Sequence, residues 1–245
     1  MGNPSELASL GTFRQGTNEV CLLRHEGRQL LAKRYRGAQP QARCDYERNT
    51  LQLWASLNLP VPRLWDVDVP EWHGSPYVVT DFLSRLTLQE WLADGAIPES
   101  AKLAFLTRIF TENHRRHRLA LERREPRLIH ADPNSSNVLR SEEAFYFIDF
   151  ERPAEFTDLA VAVAVELGKF CRWTVRDFGV TQLEPVMRLL VTAYGDDRHL
   201  LRLFIDRTCA RPFQVIHRWR DRRRKARQPG EVTKYDLADT LRRLL

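Results

Sequence analysis

A polar loop between two short apolar segments constrains the fold of this 245-residue chain more than any other stretch. Residues 128–139 read LIHADPNSSNVL, and residues 145–150 read FYFIDF. The apolar residues at the end of the first segment and the start of the second flank a short polar connection, which predicts a β-hairpin. We therefore expect the hairpin to bring Asn137 and Asp149 together.

The polar residues of this stretch have the spacing H-x-D-x-x-x-x-N, followed by D-F at the end of an apolar strand. Phosphoryl transfer needs a carboxylate beside the attacking hydroxyl, and oxygen ligands that hold Mg²⁺ against the phosphates of ATP. Asp132 suits the first role, and Asn137 and Asp149 suit the second. The alternative is that these residues only cap turns, as Asp and Asn often do. The spacing and the flanking apolar segments favour the catalytic interpretation.

The first third of the chain predicts a small β-sheet with one helix. Two strand-like runs, residues 19–24 and 29–35, flank a turn that contains glycine, which indicates a hairpin. Apolar residues then recur at helical spacing from Pro40, and Pro60 stops that helix. Residues 77–83 are rich in β-branched and aromatic side chains and predict a further strand.

Two residues of this region predict contacts with the phosphates of ATP. Lys33 ends a predicted strand, and Glu47 lies on the helix that follows. In a kinase fold a strand lysine contacts the α- and β-phosphates while a helix glutamate orients it. Asp45 is an alternative to Glu47, which is preferred because it shares a helix face with Leu51 and Trp54.

A loop ahead of these strands offers further contacts to phosphate. Gly16 permits close approach of the backbone, and Thr17 and Asn18 offer hydrogen bonds. A full G-x-G-x-x-G sequence is absent, so an ordinary turn is the alternative interpretation.

The remainder of the chain predicts mainly helices. Residues 103–110 carry one apolar stripe, residues 159–167 are apolar on nearly every side, and residues 183–245 contain several amphipathic segments. The predicted fold is therefore α+β with two lobes: a small β-rich N-lobe, residues 1–83, and a larger, mainly helical C-lobe, residues 84–245. A cleft between lobes is where ligands bind.

Four polar residues of the second lobe have competing interpretations. Asp158 precedes an apolar helix and is expected to cap it, although its carboxylate can instead brace the backbone of the loop around Asp132. His130 is expected to be a structural residue. His114 and His117 are three apart on a predicted helix, but no cysteine or carboxylate partner is evident, so surface histidines are expected rather than a metal pair.

The composition is that of an ordinary globular protein, with 43% hydrophobic and 29% charged residues. No apolar run is long enough for a membrane span, and the N-terminus lacks the features of a secretory signal, so a cytoplasmic location is expected. The four cysteines are far apart and lack CxxC spacing, which predicts reduced thiols rather than disulfides or zinc ligands.

The formal net charge of +6 and the pI near 9.4 favour an anionic partner. Basic residues are concentrated in one run near the end of the sequence, consisting of Arg218, Arg220, Arg222, Arg223, Arg224 and Lys225. Contact with an anionic membrane surface or a phosphorylated acceptor fits this run, and a solvated helix face is the alternative. Nucleic acid is not an expected partner, because the run lacks an aromatic-rich stacking platform.

Two segments, His130-Ala131-Asp132-x-Asn134-x-x-Asn137 and Ile148-Asp149-Phe150, resemble the lipopolysaccharide core kinase family, which includes Kdo kinases and heptose kinases. The resemblance implies a protein-kinase-like fold and ATP-dependent phosphorylation of a sugar hydroxyl in the lipopolysaccharide inner core. The implied roles are ATP contact for Lys33 and Glu47, catalysis for Asp132, Mg²⁺ binding for Asn137 and Asp149, and an adenine-facing hinge for Asp81, Phe82 and Leu83. A lipid-linked core glycan is the implied acceptor, reached at the inner face of the inner membrane.

The chain departs from the kinase pattern at two positions. Pro133 replaces the apolar residue that usually follows the catalytic aspartate, and Glu151 stands where protein kinases have the glycine of D-F-G. The segment 149–158 is short and lacks A-P-E, which favours a glycan or other small acceptor over a peptide. RIO-like atypical serine/threonine protein kinases share the H-x-D-x-x-x-x-N spacing and are the alternative. The intact motif residues argue against an inactive scaffold.

Overall fold

A computed structural model describes residues 8–15, 17–156, 158–209, 219, 221, 223 and 231–245. The fold is α+β, with a small antiparallel sheet near the N-terminus and a mainly helical remainder, as the sequence predicts. The chain divides into two compact units: Met1–Arg85 with Ser141–Pro153, and Leu86–Arg140 with Ala154–Leu245. Within the described residues, every helix is too short or too polar to cross a membrane.

One segment falls in a different unit from the one the sequence suggests. The first boundary, after Arg85, lies close to the predicted one, but Ser141–Pro153 groups with the first unit rather than with the helical one. The cause is aromatic packing, because the rings of Phe147 and Phe150 lie 5.6 and 4.6 Å from that of Trp54. Asp149, between those two phenylalanines, therefore belongs to the same unit as Lys33.

Five antiparallel strands form the sheet of the first unit, in the order β1-β2-β3-β5-β4. They are β1 (Ala8–Gln15), β2 (Asn18–His25), β3 (Arg28–Arg34), β4 (Leu64–Trp65) and β5 (Tyr77–Asp81). The predicted hairpin between β2 and β3 is confirmed, with Glu26 and Gly27 at φ angles of 49° and 77°, as in a type I′ turn. The loop expected before β2 is shorter than the sequence suggests, since Arg14 and Gln15 end β1 and Asn18 begins β2. No strand signal was evident in the sequence of β1, which contains several small residues and whose register with β2 shifts between Ser9 and Gly11.

The helix α1 (Pro40–Ser56) contacts β4 and β5 in this unit. Proline at its first position suits the start of a helix, and its end before Pro60 agrees with the prediction. Its buried face consists of Cys44, Glu47, Thr50, Leu51 and Trp54. The opposite face of the sheet carries a separate apolar cluster that includes Leu30, Ala32, Val79 and Trp72.

Six helices of the second unit have both ends within the described residues. They are α2 (Leu88–Ala93), α3 (Glu99–Arg123), α4 (Leu159–Phe178), α5 (Leu183–Ala193), α6 (Arg198–Cys209) and α7 (Lys234–Leu244). The predicted cap at Asp158 is confirmed, since its Oδ1 accepts hydrogen bonds from the backbone N–H groups of Ala160 and Val161 at 2.9 and 3.2 Å. The α4 helix is buried on most sides, as its sequence predicts.

The predicted hairpin near the polar loop is also confirmed. It consists of β6 (Val138–Ser141) and β7 (Ala144–Phe147), which form a two-stranded sheet. Within the described residues, short 3₁₀ helices lie at Pro70–Trp72, Pro126–Leu128, Ser135–Asn137, Val180–Gln182 and Gly195–Asp197.

Gly168 of α4 lies so close to α6 that a larger residue is not accommodated. A Cβ atom at this position would stand 2.5 Å from Cε2 of Phe204, whose side chain is buried. We expect Gly168→Ala to lower the free energy of unfolding by about 1–3 kcal/mol through overpacking, despite the higher helix propensity of alanine. Urea titration measures this, with Gly95→Ala as the control because a Cβ there meets open space. Equal stability of Gly168→Ala and the unsubstituted protein would contradict the prediction.

Candidate functional site

Lys33 projects from the sheet toward α1 because side chains alternate along a strand. Its neighbour Ala32 belongs to the apolar cluster on the other face, and Lys33 pairs in register with Val78, which packs with Cys44 of α1. The lysine side chain is only 12% exposed. A cation in this position needs partners, because burial of an unpaired charge is costly.

Three carboxylates surround the ammonium group of Lys33. Its Nζ lies 2.9 Å from Glu47 Oε2, 2.6 Å from Asp149 Oδ1 and 2.6 Å from Glu151 Oε1. Burial alone would lower the pKa of Lys33, but the three negative charges outweigh it and raise the pKa well above its ordinary value. Lys33 is therefore a permanent cation at any physiological pH.

Glu47 is the helix partner of Lys33, as predicted, and Asp45 is not. The Glu47 carboxylate is buried and also accepts a hydrogen bond from the Tyr35 hydroxyl, whereas the exposed Asp45 accepts one from Gln41 Nε2 at 2.9 Å. Burial raises the pKa of Glu47, opposed by the charge of Lys33. The shared helix face with Leu51 was thus a sufficient signal to distinguish the two acids.

Asp149 has an unusual backbone conformation, with φ at 70° in the left-handed region. Such a conformation costs about 1–3 kcal/mol for a residue other than glycine and persists only where neighbours enforce it. The rings of Phe147 and Phe150 on Trp54 and the hydrogen bond from Phe147 N to Pro60 O, 2.9 Å long, provide that enforcement. Packing on both sides thus directs the Asp149 carboxylate at Lys33.

Glu151 is a site residue that the sequence interpretation missed. Its carboxylate contacts Lys33, accepts hydrogen bonds from Arg43 and accepts another from Asn18. Carboxylate oxygens of Glu47, Asp149 and Glu151 all lie within 4.8 Å of one another, so this acidic cluster offers the hard oxygen ligands that divalent cations prefer. The sequence did contain a signal, because Glu151 is an acid two residues after Asp149. The sequence interpretation treated it only as a departure from the D-F-G motif.

The residues of the predicted phosphate loop have different outcomes. Gly16 lies outside the described residues. Thr17 is exposed, and Asn18 is buried with its side chain bonded to Glu151 and Arg43. Asn18 therefore lies near Lys33, as expected, but its side chain hydrogen-bonds to other side chains of the protein, those of Glu151 and Arg43.

The predicted hinge residues lie at the end of β5. Asp81 Oδ1 accepts a hydrogen bond from Trp65 Nε1 at 2.6 Å, and its backbone N–H donates to Arg63 O at 3.0 Å. The N–H of Phe82 donates to Gln29 O at 3.2 Å. Asp81, Phe82 and Leu83 are all partly exposed, and their role at adenine stays a prediction.

In the second unit, amide side chains orient the carboxylate of Asp132. Oδ2 of Asp132 accepts hydrogen bonds from Asn134 Nδ2 at 3.1 Å and from Asn137 Nδ2 at 3.4 Å, and Asn137 Nδ2 also donates to Asp132 O at 2.9 Å. The NH₂ group of Asn137 donates to Asp132, so Oδ1 is the Asn137 atom that suits a metal ligand. Asn137 and Asp149 belong to different units, and their joint binding of Mg²⁺ stays a prediction.

A buried ion pair holds the backbone that precedes Asp132. Arg116 of α3 and Glu166 of α4 are 0% and 4% exposed and bind each other. Arg116 also donates to the carbonyl oxygen of Leu128, and Glu166 Oε2 accepts from the N–H of His130 at 3.0 Å. The brace considered for Asp158 is thus provided by Glu166, which the sequence interpretation missed because it lies within an apolar helix.

The histidines correct another expectation. His130 is buried and its Nδ1 accepts a hydrogen bond from the N–H of Asp132 at 3.2 Å, which confirms a structural role. His114 and His117, expected at the surface, are not surface residues: His114 pairs with Asp197 at 2.7 Å, and His117 is fully buried. The cause is that α5 packs on their face of α3.

His117 extends the buried ion pair into a larger network. Its Nε2 lies 3.1 Å from Glu166 Oε2, and its Nδ1 lies 2.7 Å from the hydroxyl of Tyr194. Because Glu166 only accepts, we assign the proton to Nε2, so that Nδ1 accepts from Tyr194. Burial lowers the pKa of His117. Burial alone would raise the pKa of Glu166, but the charge of Arg116 and the contact with His117 overcome it and hold that pKa far below its ordinary range.

These pKa shifts predict loss of stability in acid. Both groups have lower pKa values folded than unfolded, so each contributes stability above its unfolded pKa, which is lost as the pH falls toward the folded value. We expect the free energy of unfolding to fall below about pH 6.5 through His117 and more steeply below about pH 4.3 through Glu166. Urea titrations at a series of pH values measure this, and Glu166→Gln should make the lower step shallower. An unchanged acid slope in that variant would contradict the assignment.

Little of the basic run lies within the described residues. Arg223 is exposed and its guanidinium stacks 3.7 Å from the ring centroid of Trp219, whereas Arg218, Arg220, Arg222, Arg224 and Lys225 lie outside them. Contact of this run with an anionic membrane therefore stays a prediction.

Two comparisons of the sequence with known proteins were made. A scan of the sequence against protein-family models found no matching family, and a search of curated proteins found no matching protein. The functional interpretation therefore depends on the chemistry of the residues around Lys33 and of the residues around Asp132.

Proposed function

We propose that this chain is an ATP- and Mg²⁺-dependent phosphotransferase with a protein-kinase-like fold. The observation that carries the proposal is the buried Lys33–Glu47 ion pair with Asp149 at 2.6 Å from the same ammonium group. A strand lysine oriented by a helix glutamate is the arrangement that kinases use for the α- and β-phosphates, and an adjacent aspartate holds their metal. Asp81, Phe82 and Leu83 are proposed to face adenine.

The proposed reaction transfers the γ-phosphoryl group of ATP to an alcohol. The acceptor hydroxyl oxygen forms a bond to the γ-phosphorus, the bond to the β,γ-bridging oxygen breaks, and ADP leaves. The proton of the hydroxyl passes to the Asp132 carboxylate, which Asn134 and Asn137 orient. The Asp149 carboxylate and the Asn137 amide oxygen are the proposed ligands of Mg²⁺, which when bound would supply positive charge beside the phosphates.

The acceptor that we propose is a sugar hydroxyl of the lipopolysaccharide inner core, on Kdo or heptose. The motif resemblance supports a sugar, and the short segment 149–158 without A-P-E provides no activation loop for a peptide. A lipid-linked acceptor places the protein in the cytoplasm at the inner face of the inner membrane. The basic run around Arg223 supplies charge for that surface.

Phosphate transfer to defined acceptors tests this proposal. The purified chain is incubated with Mg²⁺ and radiolabelled ATP, and with either isolated core glycans lacking phosphate or a panel of candidate proteins. We expect label in the glycan, located by mass spectrometry, and no label when Mg²⁺ is omitted. Label only in protein would identify an atypical protein kinase instead. Absence of transfer to water, glycan and protein alike would refute the phosphotransferase proposal.

A further inference from the structure

The carboxylate of Glu151 is bound by a set of donors that also suits an external anion. Its Oε1 lies 2.6 Å from Lys33 Nζ and accepts a hydrogen bond from Asn18 Nδ2. Its Oε2 accepts from Arg43 Nε at 2.9 Å and from Arg43 Nη2. Four donors thus occupy the four lone-pair positions of one carboxylate, and three side chains supply them.

These donors are held in place by contacts that do not involve Glu151. Asn18 Oδ1 accepts from Arg43 Nη2 at 3.0 Å and from the N–H of Arg36 at 3.4 Å, which turns its NH₂ group toward Glu151. Arg43 Nη1 donates to Arg36 O at 2.9 Å, and the guanidinium lies 5.8 Å from the ring centroid of Tyr35. Lys33 is fixed separately by Glu47. The donor set is therefore preorganised.

The donors are also shielded from water. Asn18 is 5% exposed, and the side chains of Lys33 and Arg43 are 12% and 14% exposed. Charge-assisted hydrogen bonds are stronger where water is excluded, and a planar guanidinium binds carboxylate and phosphate oxygens in the same way. The three side chains that bind the Glu151 carboxylate therefore also suit the oxygen atoms of a phosphate group.

We propose that Asn18, Lys33 and Arg43 form an anion site whose resident ligand is the Glu151 carboxylate, and that a phosphate group of a nucleotide replaces it. Glu151 is then an internal competitor, because its carboxylate occupies the site until a phosphate group of a ligand displaces it. This inference deepens the proposed function and rests on it for the nucleotide as ligand. Anion binding itself needs no transfer reaction and is measured without one.

Competition by Glu151 has a measurable consequence. A site that its own carboxylate occupies most of the time binds an external anion with an affinity reduced by the vacant fraction. Removal of the negative charge at position 151 should therefore tighten anion binding. Loss of the fork formed by Arg43 Nε and Nη2 should weaken it. Neither effect is expected from a residue that only stabilises the fold.

Calorimetric titration with inorganic tripolyphosphate, in the absence of Mg²⁺, tests the proposal. We expect Glu151→Gln to bind the anion about tenfold or more tightly than the unsubstituted chain, if Glu151 occupies about nine-tenths of the sites. Glu71→Gln is the matched control, because Glu71 is an exposed acid of the same unit and its loss changes the net charge equally. Addition of Arg43→Gln to Glu151→Gln should abolish the gain.

A second measurement does not depend on the folding of the Glu151 variant. Tripolyphosphate should raise the thermal midpoint of the unsubstituted chain in a concentration-dependent manner, and Arg43→Lys, which keeps the charge but not the fork, should reduce that rise. Equal affinity in Glu151→Gln and Glu71→Gln would overturn the competition, and no binding by any variant together with no thermal shift would overturn the site. A chain that binds tripolyphosphate but transfers no phosphate would refute the proposed function alone.

Discussion

Replacement of Asp132 by asparagine is expected to reduce phosphate transfer by about 10²- to 10⁴-fold, the usual contribution of a positioned general base. Asparagine has nearly the same shape but cannot accept the hydroxyl proton as a carboxylate does. The contacts of Asp132 with Asn134 and Asn137 use one oxygen, which the amide retains, so the loop should keep its conformation. Nucleotide affinity should stay unchanged, because Lys33 and its partners belong to the other unit.

Steady-state turnover and direct nucleotide titration separate these two effects. Asp206→Asn is the matched control. Asp206 is an exposed residue of α6, and its replacement changes the charge of the same unit by the same amount. The control should retain full turnover. Near-normal turnover by Asp132→Asn would show that the carboxylate has been given the wrong role. A parallel loss of nucleotide affinity and turnover would indicate a structural role for Asp132.

Replacement of Glu166 by glutamine should lower the free energy of unfolding by about 3–5 kcal/mol, because it leaves Arg116 buried without its counter-charge. Both side chains are almost inaccessible to water, and both bind the backbone of the segment that leads to Asp132. We therefore expect lower stability together with faster hydrogen exchange at the amide of His130. Urea titration and native-state hydrogen exchange measure the two effects.

A double-mutant cycle distinguishes the buried charge from the shape of the side chains. Arg116→Met combined with Glu166→Leu should be less unstable than either single variant, because it removes both charges and leaves an apolar pair. The exposed pair of Glu184 and Arg188 is the control, and its removal should change stability by no more than about 1 kcal/mol. Additive losses in the buried pair would contradict the proposed coupling.

The identity of several site residues was predictable because local patterns determine where their side chains point. The order of a strand lysine before a helix acid selected Lys33, and helical spacing placed Glu47 with Leu51 and Trp54. The hairpin after Asn137 followed from two apolar segments and a polar connection. Each of these signals is contained within about twenty residues.

The residues that the sequence interpretation missed carry no such local signal, because each depends on a partner far away in the sequence. Glu151 meets Arg43 across 108 positions, and Glu166 meets Arg116 across 50. A glutamate within the apolar α4 sequence reads as a solvent-facing interruption until the arginine of α3 is known to lie beside it. His117 was misassigned for the same reason, since its partner Tyr194 is 77 residues away.

The sequence by itself determined the α+β class, the main strands and helices, and the catalytic and phosphate-binding candidates Asp132 and Lys33, because periodicity and motif spacing are local. Tertiary structure alone decided that the 141–153 segment packs with the first unit, through Phe147 and Phe150 on Trp54. It thereby placed Asp149 and Glu151 against one lysine. The physical reason is that burial forces charged groups to find partners, and only the folded chain determines which partners are within reach.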